Sequence, residues 1–138
     1  MKILFMCVAN SARSQLAEGM AKLLFGHKAE IMSAGSKPAS VNPFAVEALQ
    51  EVGFDPAGLY SKSVSDLPKE FINSLDYVIT LCAEEVCPVI LSKAKKLHWP
   101  LSDPAGRDCS PEEQLEVFRS TRNAIEMKLR EFARDVLV

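Results

Sequence analysis

Near the start of the chain, Cys7-Val8-Ala9-Asn10-Ser11-Ala12-Arg13-Ser14 has the residue types and spacing for nucleophilic chemistry on an anion. A thiol and a guanidinium separated by five residues can wrap a loop around a tetrahedral oxyanion. The backbone N–H groups from Val8 to Arg13 and the N-terminus of a following helix would face the anion, and Arg13 would clamp it bidentately. Positive surroundings of that kind favour the thiolate, the form of a cysteine that attacks. Ser14 stands where its hydroxyl can hydrogen-bond the sulfur. The plainer alternative is a buried, inert Cys7 beside a surface Arg13. Against it stand the apolar run Ile3-Leu4-Phe5-Met6 before the thiol and the helical periodicity after Arg13, which set Cys7 where a buried strand gives way to a helix.

Two further groups carry reactive types. In Leu81-Cys82-Ala83-Glu84-Glu85-Val86-Cys87-Pro88, four residues separate two thiols. A flexible segment of that length can close a disulfide, which needs Cα atoms within ~4.4–6.8 Å, whereas a regular helix would hinder it. Glu84 and Glu85 disfavour a thiolate nearby, so the pair reads as an exchanging dithiol rather than a primary nucleophile. Two core cysteines at an apolar strand-to-helix junction is the competing reading. In His98-Trp99-Pro100-Leu101-Ser102-Asp103-Pro104-Ala105, an aspartate fixed by the following proline, in a loop leaving a strand, can serve as general acid to an oxygen leaving group. Asp-Pro is also an ordinary turn. Cys82, Cys87, His98 and Cys109 could supply four zinc ligands, but the spacing lacks a paired C-x2-C knuckle. His98 reads as a packed or hydrogen-bonded strand residue, His27 as a solvated cap, Arg107 as an exposed base and Cys109 as a bystander.

The elements that must position these groups follow from apolar periodicity. Lys2–Cys7 is expected as a first strand, residues 11–25 as an amphipathic helix on Leu16, Met20, Leu23 and Leu24 with Gln15, Glu18 and Lys22 on other faces, and Gly26 as its end. Residues 30–34 make a short second strand closed by Gly35. Asn42-Pro43 is an N-cap with proline in the first helical position, and that helix ends by Gly53. After a mixed segment, a short helix over residues 68–74, a central strand over residues 77–81 and a weaker strand over residues 96–101 are expected. Ser110-Pro111-Glu112-Glu113 is a capping-box signature that opens a long closing helix. Alternating strands and helices predict a parallel sheet covered by helices. Such sheets bind ligands beyond the carboxyl ends of their strands, and Cys7, Cys82 and Asp103 each follow a candidate strand.

A chain of 138 residues, 48% of them hydrophobic, suits one domain with a sizeable core. Sixteen Lys and Arg against eighteen Asp and Glu give a formal charge of −2, which offers no general attraction to nucleic acid or an anionic membrane. Any anion must be drawn by a local field. No stretch approaches a membrane span, and Asn10 and Arg13 interrupt the apolar start before it resembles a secretion signal. The expectation is a cytoplasmic chain whose four cysteines serve chemistry or metal rather than structural disulfides.

The Cys7–Ser14 loop, Gln15-Leu16-Ala17-Glu18-Gly19, Ser33-Ala34-Gly35, the Cys82/Cys87-Pro88 pair after Thr80-Leu81, and His98-Trp99 with Asp103-Pro104-Ala105 together resemble thioredoxin-coupled arsenate reductases of the low-molecular-weight tyrosine phosphatase superfamily. The resemblance runs from Met1 to the final helix. It implies an α/β domain with a four-stranded parallel sheet flanked by helices, a flavodoxin-like three-layer sandwich. It also implies roles: Cys7 as nucleophile, Arg13 and the loop amides as oxyanion binders, Ser14 as thiolate stabiliser, Asp103 as general acid, and Cys82 and Cys87 as a redox relay. The substrate would be arsenate, with phosphate or sulfate as analogues, the reductant thioredoxin, the protein a monomer with no tightly bound organic cofactor. Asn10, Glu18 and Ser33 match some of the positions at which related enzymes hold a monovalent cation near the loop. The chain departs from the pattern in four ways. Ala9 stands where glycine is common, Ala12 where cysteine is frequent, the Cys82–Cys87 spacing is short, and Ala105 stands where phosphatases carry an aromatic. A phosphomonoester or tyrosine phosphatase remains an alternative with the same nucleophile and acid, as does a phosphocysteine carrier module, against which Arg13 and Asp103 weigh.

Overall fold

The computed structural model describes residues 1–83 and 92–137. Four strands, β1 (Lys2–Cys7), β2 (Glu30–Gly35), β3 (Tyr77–Thr80) and β4 (Lys95–His98), form one parallel sheet in the order β2-β1-β3-β4. The central strand β1 is apolar on both faces because both are covered. Ile3 and Phe5 pack with Leu16 and Met20 of α1 (Arg13–Phe25), Leu49 of α2 (Pro43–Gln50) and Phe118, Ile125 and Leu129 of α4 (Pro111–Val136). Leu4 and Met6 point the other way, against Leu67, Leu75 and Phe71 of the short helix α3 (Lys69–Asn73). This is the expected α/β sandwich.

Strand order reverses at the β1/β3 pair, so the crevice beyond their carboxyl ends is where a ligand is expected. Met6 lies beside Thr80, and the Leu81 N–H donates to the Met6 carbonyl at 3.0 Å. Cys7 and Cys82 are thereby delivered to neighbouring strand ends.

Several boundaries differ from the sequence reading. Helix α1 starts at Arg13 rather than Ser11, because residues 8–12 form a loop in which Asn10 is left-handed, with φ 48°. Its polar side is not solvated: Gln15 and Glu18 are buried. Strand β2 runs one residue further, to Gly35, where it bridges Ser63. Strand β3 stops at Thr80, one residue short of expectation. Strand β4 occupies residues 95–98 rather than 96–101. Pro100 has no N–H to offer a ladder, although the Trp99 and Leu101 N–H groups still reach the Thr80 and Leu81 carbonyls at 2.8 and 3.1 Å. Helix α3 spans only residues 69–73, and the mixed segment before it contains two tight helical turns, Pro56–Gly58 and Val64–Asp66. The caps hold as read. The Asn42 side chain accepts from the Phe44 N–H at 2.9 Å, and Ser110 and Glu113 form the reciprocal box at the start of α4.

Candidate active site

The loop after β1 is shaped by what its carbonyls bind. Those of Val8, Ala9 and Ser11 accept from the N–H groups of Lys37, Ala39 and Asn42 at 2.9, 3.0 and 3.0 Å. The Asn10 carbonyl accepts from Gln15 Nε2 at 3.0 Å and Ser61 Oγ at 2.6 Å. In a planar trans peptide the next N–H points opposite to the carbonyl, so the amides of Ala9, Asn10, Ser11 and Ala12 turn away from that outer collar and toward the concave side. Helix α1 adds its own N-terminus there, uncapped by any side chain from Ala12. Gly35 makes room for this arrangement. A Cβ at that position would lie 2.4 Å from the Val8 carbonyl oxygen and 2.8 Å from that of Cys7. Among the described residues the only left-handed non-glycine residue is Asn10, a type that tolerates that conformation, so Ala9 needs no such backbone.

Behind the loop runs a chain of side-chain hydrogen bonds whose direction is fixed. Asn10 Oδ1 accepts from the Lys62 backbone N–H at 2.9 Å and from Gln15 Nε2 at 3.0 Å, so Nδ2 must face the other way. There it donates to Ser14 Oγ at 2.7 Å and Ser33 Oγ at 2.9 Å. With its oxygen accepting, Ser14 has its one proton to give to Cys7 Sγ, 2.8 Å away. Ser33 in turn donates to Glu18 Oε1 at 2.6 Å. Glu18 is flanked by two ammonium groups, Lys22 Nζ at 2.7 Å from Oε2 and Lys62 Nζ at 3.3 Å from Oε1. All of Cys7, Asn10, Ser14, Glu18 and Ser33 are buried.

In front of the loop, Cys7, Ala9, Ser11, Ala12, Arg13, Asp103 and Ala105 line a cavity of about 150 Å³, with no aromatic side chain among these lining residues. Arg13 is buried, donates from Nη1 to the Leu101 carbonyl at 3.0 Å, and holds Nη2 3.9 Å from Asp103 Oδ2. Asp103 itself is half exposed. Its Oδ1 accepts from the Ala105 N–H at 3.0 Å, the Asx turn expected of Asp-Pro, which leaves Oδ2 directed toward Arg13. The arrangement can hold a small tetrahedral oxyanion against a thiol, with a carboxyl group on the rim to protonate a leaving oxygen.

Cys82 is buried just past β3 and is disulfide-bonded, whereas Cys7 and Cys109 are free thiols. The Cys87 half of the expected relay, with Glu84 and Glu85, lies outside the described residues. Among the described residues no three His, Cys, Asp or Glu side chains gather as a metal site. Thr80 Oγ1 hydrogen-bonds His98 Nδ1 at 2.7 Å, in line with a hydrogen-bonded strand histidine. His27 is exposed in the turn after α1, and Arg107 donates to the Asp103 carbonyl at 3.5 Å.

Four contributors were not singled out for the site from sequence. Gln15 and Ser61 brace the Asn10 carbonyl. Lys62 is 4% exposed beneath the loop. Gln114, near the start of α4, donates from Nε2 to the Pro104 carbonyl and so anchors the Asp103 turn, while its Oε1 lies 3.8 Å from Cys109 Sγ. Gln114 had one available signal, a polar residue in register with the apolar face of the helix that Phe118, Ile125 and Leu129 define. Lys62 had none.

Comparison with known proteins bears on the family and the fold. The chain is 40% identical to the arsenate reductase of Halalkalibacterium halodurans over 134 residues, covering 95% of this chain and 94% of that protein. A solved structure described as an arsenate reductase in the phosphate binding state superposes with a TM-score of 0.76 at 32% identity, covering 98% of each chain. The thioredoxin-dependent arsenate reductase of Corynebacterium glutamicum superposes with a TM-score of 0.74 at 30% identity, covering 99% of this chain and 61% of that one. Residues 2–137 match the low molecular weight phosphotyrosine protein phosphatase family, and the chain belongs to it.

Proposed function

We propose that this protein reduces arsenate to arsenite by a thiol relay recycled by thioredoxin. The observation that carries the reading is a second cysteine, Cys82, buried at the end of the strand that pairs with β1, next to the strand end that bears Cys7. Hydrolysis of a phosphocysteine has no use for it; reduction does. The relatives named arsenate reductases over nearly the whole chain support the substrate. So does a cavity lined by Ala9, Ala12 and Ala105, which suits a small inorganic oxyanion and, among its described lining residues, offers no aromatic wall for an aryl group.

The steps balance as follows. The Cys7 thiolate attacks arsenic, a S–As bond forms, and an arsenate oxygen leaves as water after Asp103 gives it a proton. Arg13 and the loop amides hold the remaining oxygens. Cys82 thiolate then attacks Cys7 Sγ. The S–S bond forms as the S–As pair passes to arsenic, which becomes As(III) and leaves as arsenite. Cys87 attacks Cys82 Sγ, returning Cys7 as thiolate and leaving a Cys82–Cys87 disulfide for a thioredoxin of low potential, ~−270 mV, to reduce. The protein is expected to act as a cytoplasmic monomer with thioredoxin as its protein partner.

The test is arsenite production from arsenate with thioredoxin, thioredoxin reductase and NADPH, run beside hydrolysis of p-nitrophenyl phosphate. Sustained arsenite release with weak hydrolysis is expected. Efficient hydrolysis without arsenite would make the protein a phosphatase.

A further inference from the structure

We propose that Lys62 is a built-in cation for the oxyanion loop: its ammonium takes the seat a monovalent ion would need beside Asn10, Ser33 and Glu18, and holds the hydrogen-bond chain that ends on Cys7. Lys62 touches that chain at two points. Its backbone N–H fixes Asn10 Oδ1 at 2.9 Å, which turns Nδ2 toward Ser14 and Ser33. Its side chain, buried to 4% exposure, places Nζ 3.3 Å from Glu18 Oε1, 3.2 Å from the Tyr60 carbonyl and 4.5 Å from the centre of the Tyr60 ring. Carboxylate, carbonyl and aromatic face are the partners an ammonium needs when it gives up water.

A potassium or sodium ion does not fit while that ammonium is there. The oxygens that would ligate it, Glu18 Oε1 and the Tyr60 carbonyl, already accept from Nζ, and an ion among them would sit against a like charge in a buried site. The ammonium also has a task. A charged Glu18 is acceptor only, so Ser33 must donate to it and offer its own oxygen to Asn10. Lys22 cannot substitute, because its exposed ammonium bonds the other carboxylate oxygen. Lys62 is therefore a positioning residue that acts on the thiol through Glu18, Ser33, Asn10 and Ser14. The consequence is that the parent protein should be indifferent to the identity of the monovalent cation.

The inference rests on Cys7 being the reacting thiol, and iodoacetamide alkylation of Cys7, mapped by mass spectrometry, reports on it without arsenate. Rates and melting temperatures are measured in tetramethylammonium chloride and as K⁺ or ammonium replaces it at constant ionic strength. The parent should not respond to the exchange. Lys62→Ala should alkylate more slowly in tetramethylammonium, by roughly threefold, and recover saturably with K⁺ or ammonium. Lys62→Met, which keeps the stem and fills the seat, should be slow and beyond rescue. A saturable, K⁺-specific gain in the parent's rate or melting temperature would overturn the proposal. So would a Lys62→Ala protein that matches the parent without K⁺, or one whose defect no small cation restores. Should Lys62→Ala not fold, the parent's response to K⁺ and the rate of Lys62→Met decide. Failure of arsenate reduction with the expected cation responses would count against the reductase reading alone.

Discussion

Ser14→Ala removes one hydroxyl and tests the direction of the whole hydrogen-bond chain. Ser14 Oγ lies 2.8 Å from Cys7 Sγ and 2.7 Å from Asn10 Nδ2, and because the amide can only donate there, the serine keeps its one proton to give to a Cys7 thiolate. A hydrogen bond to a charged group is worth about 1.5–3 kcal/mol. At 1.36 kcal/mol for each factor of ten, losing it should slow Cys7 alkylation by roughly ten- to a hundredfold, measured where the rate still rises with pH. The same change strands one N–H of the fully buried Asn10, at a cost of about 1–3 kcal/mol in folding stability.

Ser33→Ala provides the control. It also strands an Asn10 N–H, yet leaves Ser14 with the same partner and the same direction of donation. It should lose at least as much melting temperature as Ser14→Ala, because its hydrogen bond to Glu18 is lost as well, while slowing alkylation by only a few fold. Both are best measured in a Cys109→Ser background, since that exposed thiol would also react. If Ser14→Ala alkylates at the parent rate, the serine proton does not rest on sulfur and the reasoning about the chain fails. If the two variants lose rate equally, the chain matters only as packing.

Arg13→Lys keeps the charge but loses the planar fork that holds both Leu101 and an oxyanion; sulfate binding by calorimetry and arsenate turnover should fall by an order of magnitude or more, and near-parent values would remove Arg13 from the site. Cys87→Ser should release about one arsenite per chain and stall as a Cys7–Cys82 disulfide, whereas Cys82→Ser should fail even the first turnover; stoichiometric arsenite release with disulfide mapping distinguishes them, and sustained turnover by either refutes the relay. Glu51, at the end of α2, is held below the usual carboxylate range chiefly by hydrogen bonds from Arg119 on α4, with Arg122 assisting and partial burial opposing. A depressed folded value means the contribution is full above the ordinary carboxylate titration near ~4.3 and is lost as pH falls through the folded value. Glu51→Gln should therefore lower the melting temperature at neutral pH and flatten its decline below about pH 5; parallel melting curves for parent and variant would show that the α2–α4 ion pairs carry no pH dependence.

What could be read from the sequence and what could not divides along the range of the interactions. Strand β1, the caps at Asn42 and Ser110, and the placement of Cys7, Cys82 and Asp103 beyond strand ends follow from local apolar period, local capping chemistry and the rule that parallel sheets bind at their carboxyl ends. The helix starts two residues later than its period predicts because the loop before it is tied by contacts to residues 37, 39, 42 and 61, which no local pattern announces. Strand β4 ends at His98, short of the expected run, because Pro100 terminates it.

Polar residues on α1 show the deeper reason. By helical period Gln15 and Glu18 belong on a face away from the core, and in an isolated amphipathic helix such a face would be wet. Here that face is covered by β2, the Asn10 turn and the segment carrying Tyr60 and Lys62, so the same residues become a buried polar network. Burial of that kind is tolerable when its charges and donors find partners, and among the described residues of this network only Gln15 Oε1 is left without one. Glu18 alone in this position would be an uncompensated charge, and Lys62 alone would be another. Neither residue carries a signal in isolation, since each is an ordinary surface type, and they lie 44 positions apart. Their meaning arises from the Gly35 crossing, which brings the strand end, the loop and residue 62 within one layer. Gly35→Ala, with its Cβ forced against the Val8 and Cys7 carbonyls, should therefore disturb the thiol, the loop and the Glu18–Lys62 pair together, whereas a change at any one of the three should leave the strand crossing intact.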